Sequence, residues 1–402
     1  MKRLLDILFW SVIAAAFIGP GTVTTAARAG SDFRFALAWA LLFSTVACLV
    51  LQEASGRITV LTGKELGEAM RSRFAASRWG RAVPAVVAVG VVLGCAAYEA
   101  GNLLGGVAGL RLLVDVPVAT LTLAAGAAAG ALLATGSTRW IARTLGALVG
   151  LMGVAFLVTA ARVGPDLAEL AEGLLVPRIP SGSTVLVLGL VGTTVVPYNL
   201  FLGSALARGS GLAGMRWGLA VAVVGGGIIS LGVLVVGSVL GGGLEYEQLA
   251  AILEQRLGPG TGASLAFGLF AAGITSATTA PLAAALTASS IFGDGAASGP
   301  WSPSGSRFRL VWLAVLGTGM AFGVADLRPI PVIILAQAFN GLLLPLVAVF
   351  LWATMNDRAF LGDEGVNSAP QNLVMGLVVA VSVVLGLRGL WTAVVAAVSR
   401  IG

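Results

Sequence analysis

The chain has 402 residues, of which 57% are hydrophobic before its 56 glycines are counted, and only 10% are charged. Soluble domains carry about 45–50% apolar residues with glycine included and about 25% charged residues, so this composition predicts a polytopic membrane protein. The formal charge is +6 and histidine is absent, which excludes Ser-His and Cys-His nucleophiles, histidine-based zinc sites and an imidazole proton relay.

Eleven apolar segments match the length of about 20 residues that a spanning helix needs. They cover residues 4–28, 35–57, 82–110, 116–135, 140–162, 183–207, 215–240, 263–292, 308–325, 329–355 and 371–397. The basic start and first apolar run also fit a secretory signal peptide, but the interruption at residues 19–21 and the ten segments that follow favour a first span. We therefore expect an all-α polytopic membrane protein of about 11 transmembrane helices, forming a single domain over residues 1–402.

The basic residues indicate how the chain is oriented. With a cytoplasmic N-terminus, the inner loops carry 15 Lys and Arg residues and the outer loops carry 8, with Arg388 unassigned. This asymmetry predicts an integral, multi-pass protein of the cell membrane whose N-terminus is cytoplasmic. Because the basic residues are scattered between apolar segments, they indicate topology in a lipid bilayer and no nucleic-acid partner.

Two of the segments are interrupted near their middle. Residues 19–22 (Gly-Pro-Gly-Thr) interrupt the first segment, and residues 192–199 (Gly-Thr-Thr-Val-Val-Pro-Tyr-Asn) interrupt the sixth. Proline and glycine break helices, and one interruption of this kind is more typical of packing or kinking. Matching breaks in successive sets of five spans instead indicate an inverted repeat, with a first unit at residues 1–165, a second at 180–356 and an additional helix at 357–402.

The two interruptions form the candidate substrate site. Unwound backbone frees carbonyl groups and half-helix ends near the bilayer midplane, where secondary transporters bind their substrates. Hydroxyl and amide side chains cluster at both breaks, and they are Thr22, Thr193, Thr194, Tyr198 and Asn199. In the tenth segment, Gln337 and Asn340 share a helix face, so they either line the same cavity or bond one helix to another. The small hydroxyl residues within 275–279 predict close packing of the eighth segment.

Glu99 is the only acidic or basic residue between Arg81 and Arg111, in the third segment. A carboxyl group in hydrocarbon favours its neutral form, which suits a group that takes up and releases protons. The alternative is a structural hydrogen bond to a neighbouring helix. Both interpretations place Glu99 inside the helical bundle.

Several stretches of the chain match one pattern. They are residues 19–30, residues 51–53 with Thr-Gly-Lys-Glu-Leu at 62–66, residues 196–202 (Val-Pro-Tyr-Asn-Leu-Phe-Leu), residues 268–273 and Gln337. Together they resemble the Nramp family of divalent-metal transporters over most of the chain. The resemblance implies a LeuT-type inverted-repeat fold of eleven or twelve helices, in agreement with the eleven segments above.

The metal-binding side chains of that family are missing from the matched positions. The family has Asp-Pro-Gly-Asn in the first helix, and Gly19 and Thr22 stand at the Asp and Asn positions. It has Met-Pro-His-Asn in the sixth helix, where Val196 and Tyr198 replace Met and His. A dehydrated divalent ion needs negative charge and several oxygen ligands, so we do not expect a tight transition-metal site.

The resemblance assigns roles to further residues. Glu99 falls where the family has an acid implicated in proton movement, although Asn102 replaces a second acid nearby, and Gln337 matches a polar residue that joins the site when it closes. The expected substrate-binding residues are Gly19, Thr22, Thr193, Val196, Tyr198, Asn199 and Gln337, with Glu99 as the proton-coupling residue. Whether they hold a metal stays open, because the ligand positions Gly19, Thr22 and Val196 lack ligand side chains.

The sequence thus predicts a secondary active transporter that moves a small solute by alternating access and uses no cofactor. The family resemblance favours a divalent metal cation, bound weakly or partly hydrated, with coupled protons in symport. The alternative substrate is a small anion, an organic acid or an amino-acid-like solute, because the pocket is neutral and lies beside a half-helix N-terminus. A membrane enzyme or a receptor has least support, since the sequence contains no visible nucleophile–base pair or metal-ligand set.

Overall fold

The computed structural model of the chain describes residues 10, 12–76, 78, 80–135, 138–293 and 298–398. The predicted start of the first segment, residues 4–9, lies outside the described residues. The helices are α1 (residues 12–17), α2 (Pro20–Phe33), α3 (Ala38–Thr62), α4 (Leu66–Phe74), α5 (Ala82–Arg111), α6 (Val118–Ala134), α7 (Thr138–Val163), α8 (Leu167–Leu175), α9 (Thr184–Thr194), α10 (Pro197–Ala207), α11 (Leu212–Gly237), α12 (Tyr246–Leu257), α13 (Thr261–Phe292), α14 (Ser306–Val324), α15 (Pro329–Met355), α16 (Arg358–Leu361) and α17 (Ala369–Val398).

The eleven predicted segments correspond to these helices one by one. The first segment is α1 with α2, the sixth is α9 with α10, and each of the other nine is a single helix. Within the described ranges, nine helices are long and apolar enough to cross a membrane when α9 and α10 are counted together, and α6 is a shorter apolar helix of 17 residues. The prediction of an all-helical polytopic membrane protein is confirmed.

Proline starts the second half of each broken span. Pro20 is the first residue of α2, and Pro197 is the first residue of α10. Proline suits this position because it has no N–H to satisfy and its φ angle is already helical. The residues before them, Gly19 (φ −107°, ψ −175°) and Val196 (φ −85°, ψ 125°), are extended. The two predicted breaks are therefore confirmed.

The sixth span lies at the centre of the bundle. In its most apolar 18-residue window 94% of the residues are buried, against 33% in the corresponding windows of α14 and α17. Helices α3, α11, α13 and α15 pack around the two broken spans. The helix α5 lies against α13, and a Cβ atom on Gly273 would overlap the Gly106 Cα atom. Glycine thus permits a close approach of two helices, while α14 and α17 face the surroundings.

Four short helices, α4, α8, α12 and α16, connect the spans and were not predicted from the sequence. Reciprocal bonds between Glu65 and Glu68 cap the start of α4. The carboxylate of Asp166 accepts bonds from two backbone amides at the start of α8. Such caps satisfy amides that have no partner within a helix, so short helices form here despite their length.

Candidate functional site

The site is built around the last turn of α1, where the carbonyls of Ala15, Ala16 and Phe17 follow the last regular helical bonds and that of Ile13 is still inside the helix. Side chains of α2, α10 and α13 donate to these carbonyls. The bonds are Asn199 Nδ2 to Ile13 O (3.3 Å), Ser276 Oγ to Ala15 O (3.3 Å), Tyr198 OH to Ala16 O (2.8 Å) and the Thr22 hydroxyl to Phe17 O. We call Asn199, Ser276, Tyr198 and Thr22 the carbonyl caps. Because an unsatisfied carbonyl in hydrocarbon costs several kcal/mol, the caps stabilise the interruption.

Thr22 also connects the two broken spans. Its Oγ1 atom lies 2.8 Å from Thr193 Oγ1, at the end of α9. The neighbouring Thr194 bonds within its own helix, to Leu190 O at 3.2 Å, and so contributes no bond across the break. Of the two predicted threonines in the sixth span, Thr193 is therefore the one that contacts the first span.

Gln337 of α15 lies between the two broken spans. A Cβ atom on Gly21 would overlap Gln337 Nε2, and one on Gly192 would overlap the Gln337 carbonyl oxygen. Both spans therefore need glycine beside Gln337. Asn340 lies one turn further along α15 and faces α5, where its Oδ1 atom is 3.2 Å from the Cβ position of Gly94.

Gly19 faces polar side chains of α13 and α5. A Cβ atom at Gly19 would overlap Ser276 Oγ and would lie 3.4 Å from Asn102 Oδ1. The Asn102 amide in turn donates to Glu99 Oε2 at 3.2 Å. Glu99 is therefore one residue removed from the break, and Asn102 is the polar group between them.

Two tyrosine rings meet beside the break. The rings of Tyr98 and Tyr198 are edge to face, with centroids 5.4 Å apart and an interplanar angle of 80°. Tyr198 donates to the end of α1, whereas the buried Tyr98 hydroxyl lies beside Thr193, Gln337 and Tyr198 without a well-formed hydrogen bond among the described residues. The edge-to-face contact holds Tyr198 in the orientation in which it reaches the Ala16 carbonyl.

Several buried acceptor atoms in this region have no donor among the residues that the structure describes. They are Glu99 Oε1, Asn102 Oδ1, Asn199 Oδ1, Gln337 Oε1 and, behind α10, Gln52 Oε1. Buried polar atoms are nearly always bonded in native proteins, so a group of orphan acceptors indicates a place for water, a donor or a cation.

The whole site is enclosed. The side chains of Thr22, Thr193, Val196, Tyr198, Asn199, Gln337 and Glu99 are each at most 1% exposed. On one side of the break, Gln52 Nε2 donates to Asn199 O at 3.0 Å and Ser55 Oγ donates to Leu200 O at 2.8 Å. These bonds tie α3 to α10 and close the site toward the end of the bundle where α3 ends.

At the opposite end, α12 covers the site through Tyr246. Thr24 donates its hydroxyl proton to Pro20 O at 2.6 Å, so the Tyr246 hydroxyl donates to Thr24 Oγ1. Burial raises the pKa of Tyr246 above its usual range, which keeps this hydroxyl protonated. A cavity of about 160 Å³ next to Tyr246 is lined by Arg111, Glu245, Glu247 and Asp326 among others.

The structure brings all the predicted substrate-binding residues to one place and adds four residues that the sequence analysis did not assign to it. Ser276 and Tyr98 contact the break directly, while Asn102 and Gln52 contact its neighbours. The hydroxyl run at 275–279 was interpreted as packing, and for Ser276 that interpretation is incomplete. In the described part of the chain, no three Cys, Asp or Glu residues are grouped so as to hold a metal ion.

A helical bundle with opposed interruptions in its first and sixth spans defines the class of LeuT-fold membrane proteins. The family described as "Natural resistance-associated macrophage protein-like", or Nramp, matches residues 11–392. The chain belongs to the Nramp family, which is a family of transporters. The recognition made from sequence motifs is therefore confirmed.

Curated relatives and solved structures agree with this assignment. The divalent metal cation transporters MntH of Yersinia pestis (strain Pestoides F) and of Deinococcus radiodurans are each 28% identical, over 68% and 70% of this chain and 69% and 68% of theirs. The fold is similar to a point mutant of the Eremococcus coleocola manganese transporter, with a TM-score of 0.77 at 19% identity, covering 96% of this chain and 86% of that one. It is also similar to MhsT in complex with L-phenylalanine, with a TM-score of 0.62 at 16% identity over 96% and 98% of the two chains.

Proposed function

We propose that the protein is a secondary active transporter of the cell membrane that carries a divalent metal cation by alternating access through the break between α1 and α2. The names of the MntH relatives support this substrate class. The observation on which the proposal depends is the chemistry of the orphan atoms. Asn102, Asn199 and Gln337 all have acceptor oxygens without donors around the break, and acceptor oxygens bind cations rather than anions.

We expect the cation to be weakly bound and to keep part of its water. The side chains in contact with the break are neutral, and the nearest carboxyl group, Glu99, lies behind Asn102. A divalent ion without an opposing buried charge is held only by carbonyl, hydroxyl and amide oxygens, which suits hard cations in flexible geometry. Val196 stands where the family has Met, so the soft ligand that would favour manganese or iron is missing.

Glu99 is the residue that we assign to proton coupling. It is fully buried, one of its carboxyl oxygens accepts from Asn102, and the other has no partner among the described residues. A carboxyl group in this position can exchange a proton with water that reaches Asn102. Because Asn102 connects Glu99 to the break, proton exchange at Glu99 would couple the cation to a proton in symport.

The neutral pocket leaves one alternative, a small anion, an organic acid or an amino-acid-like solute. Its support is that α10 begins at the break, and the start of a helix carries a partial positive charge. In this structure, however, the first turn of α10 contacts the end of α1 through Tyr198 and Asn199. The positive end of one half-helix thus already faces the negative end of the other, which makes the cation the better proposal.

Uptake into proteoliposomes separates the two substrates. We expect concentration-dependent uptake of Mn²⁺, Mg²⁺ or Ca²⁺ and none of chloride, lactate or glycine. Gln337→Leu should reduce cation uptake at least about tenfold, since it removes an orphan acceptor from the break. Asn340→Leu, one turn away and facing Gly94, is the matched control and should change uptake less than about threefold. Uptake of an anion or glycine without any cation uptake would exclude a metal cation as the substrate and support the alternative substrate class.

A further inference from the structure

A cleft of about 510 Å³ lies at the periphery of the bundle, away from the break, between α3, α11 and α17. Its lining includes Leu49 and Val50 of α3, Arg216 of α11, and Gln371 and Val374 of α17. The span of α17 is among the least buried, so this cleft opens toward the lipid rather than toward the substrate site. Its volume is within the range of small-molecule pockets.

The lining of the cleft changes from polar to apolar along both helices that form its walls. On α3 the order is Leu49, then Glu53, then Arg57, over about 12 Å at the helical rise per residue. The helix α17 runs in the opposite direction, from Gln371 at its start to Val374 one turn deeper. The charged and amide groups therefore lie at the end of the bundle where α3 ends, and the apolar groups lie toward the bilayer core. A headgroup followed by an acyl chain has the same gradient.

Two arginines and one glutamate give the polar end of the cleft a net positive charge. Glu53 accepts from Arg57 at 3.1 Å and from Arg216 at 2.8 Å. The exposed fractions of the side chains are 5% for Arg57, 20% for Glu53 and 47% for Arg216. Arg216 thus presents an accessible guanidinium group to the cleft. Because the single carboxylate of Glu53 pairs with both arginines, it neutralises only one of their two positive charges.

The buried arginine has donor capacity that the described residues do not use. Arg57 donates to Asn367 Oδ1 at 2.5 Å and to Gly365 O at 3.3 Å, which orders the segment before α17. Its Nε atom is buried and has no partner among the described residues. A second acceptor beside Glu53 would therefore meet the exposed Arg216 guanidinium group first, and the unpaired Nε–H of Arg57 only at the buried end of the cleft. Phosphate groups suit such paired arginines because they accept several charge-assisted hydrogen bonds.

We propose that the cleft between α3, α11 and α17 binds the headgroup of an anionic phospholipid. The phosphate lies against Arg216 and Arg57, and the first part of an acyl chain lies along Leu49 and Val374. The site is in the leaflet that the loop charges predict to be cytoplasmic. Anionic lipids concentrate near basic residues on that side of membranes.

Native mass spectrometry of the purified full-length protein tests the proposal, with phosphatidylglycerol, phosphatidylcholine and free glycerol phosphate as probes. We expect retention of phosphatidylglycerol at least about fivefold above phosphatidylcholine, since one basic residue near an anionic headgroup accounts for about this ratio. Arg216→Gln should remove the preference. Glu53→Gln should strengthen phosphatidylglycerol binding, because it raises the net charge of the cleft. The exposed Arg309→Gln at the start of α14 is the control and should leave the preference intact.

Three results would overturn the proposal. Equal retention of the two lipids by the unmodified protein would show that the cleft does not recognise an anionic headgroup. A loss of retention in both Arg216→Gln and Glu53→Gln indicates that the pair has only a structural role. Glycerol phosphate bound as tightly as the lipid would show that the cleft takes a soluble phosphate compound. Because none of these experiments involves Gln337 or Glu99, their failure would leave the proposed transport function unaffected.

Discussion

At the scale of single residues, the geometry at Gly19 explains why the metal ligands of the family cannot simply be restored. Gly19 contacts Ser276, which caps the Ala15 carbonyl. An aspartate at position 19 would place its Cβ atom on top of Ser276 Oγ and 3.0 Å from Ser276 Cβ. The serine hydroxyl therefore occupies space that an acidic ligand at position 19 would need.

This contact gives a graded prediction for manganese binding. The unmodified protein should bind Mn²⁺ weakly or undetectably in isothermal titration calorimetry. Gly19→Asp with Thr22→Asn should gain little, whereas addition of Ser276→Ala should gain at least about tenfold in affinity, because a buried carboxylate opposite a divalent ion is worth several kcal/mol. Ser276→Ala alone is the control, with no gain expected. Micromolar or tighter binding by the unmodified protein would contradict the neutral site.

The position of Glu99 leads to a second prediction. Glu99→Gln should lower uptake driven by an imposed pH gradient at least about tenfold, because the amide cannot take up or release a proton. Equilibrium binding of the cation should change less, since Asn102 separates Glu99 from the break. The exposed Asp363→Asn provides the comparison, with gradient-driven uptake unchanged. If Glu99→Gln transports normally under the gradient, Glu99 has only a structural role.

The site residues next to the proline and glycine of the breaks could be predicted from the sequence, whereas a site residue in an uninterrupted helix could not. Thr22, Tyr198 and Asn199 stand within two residues of Pro20 or Pro197, so the helix breaks point to them. Ser276 is in an unbroken helix, and a serine that reaches a distant carbonyl has the same local sequence as one that bonds its own helix. Thr279, three residues later, does the latter, with a bond to Thr275 O at 3.1 Å.

At the scale of helices, α12 is the element that covers the break on one side, and we expect its movement to open the site. It contacts the first span through the bond from Tyr246 to Thr24, which is itself bonded to Pro20. The break and the covering helix are therefore connected by one hydroxyl–hydroxyl bond. Sequence patterns did not predict α12, because its twelve residues and mixed polarity resemble an ordinary loop, whereas the spans follow from hydropathy.

Removal of that bond should favour the state that is open on the α12 side. Tyr246→Phe keeps the buried ring and removes only the donor, so we expect a two- to tenfold increase in the open population, the worth of about one hydrogen bond. The readout is the rate of thiol labelling of Val107→Cys, a buried position in the adjacent cavity. Glu247→Gln on the same helix should not change the rate. A labelling rate unaffected by Tyr246→Phe would exclude the hydroxyl as a closing contact.

At the scale of the molecule, ion pairs among the described residues join loops that the count of spans places on the same side. Arg34 pairs with Glu169 at one end of the bundle, and Arg73 pairs with Asp357 at the other. Arg208 pairs with Glu65 at that second end. These pairs agree with the number of spans and with the alternation of the loops between the two sides, both of which were predicted from sequence hydropathy. Which end faces the cytoplasm depends on the charge asymmetry of the loops, and helix packing does not determine it.

Orientation is testable with two exposed serines. Ser181→Cys in the loop before α9 should react with a membrane-impermeant thiol reagent in intact cells, and Ser304→Cys before α14 should react only after permeabilisation. The native Cys48 and Cys95 are buried, so they add little background. The reverse labelling pattern would mean that the N-terminus is outside.

The carbonyl caps have a consequence for the proposed transport cycle. The protein's own hydroxyl and amide groups donate to the carbonyl oxygens at the end of α1. A transported cation that used these oxygens would displace those donors, and without the cation the same donors satisfy the carbonyls, so we expect the protein to close without a bound ion. Net uptake into empty vesicles should then be as fast as exchange of labelled for unlabelled ions, whereas an obligatory exchanger would need ions on both sides of the membrane.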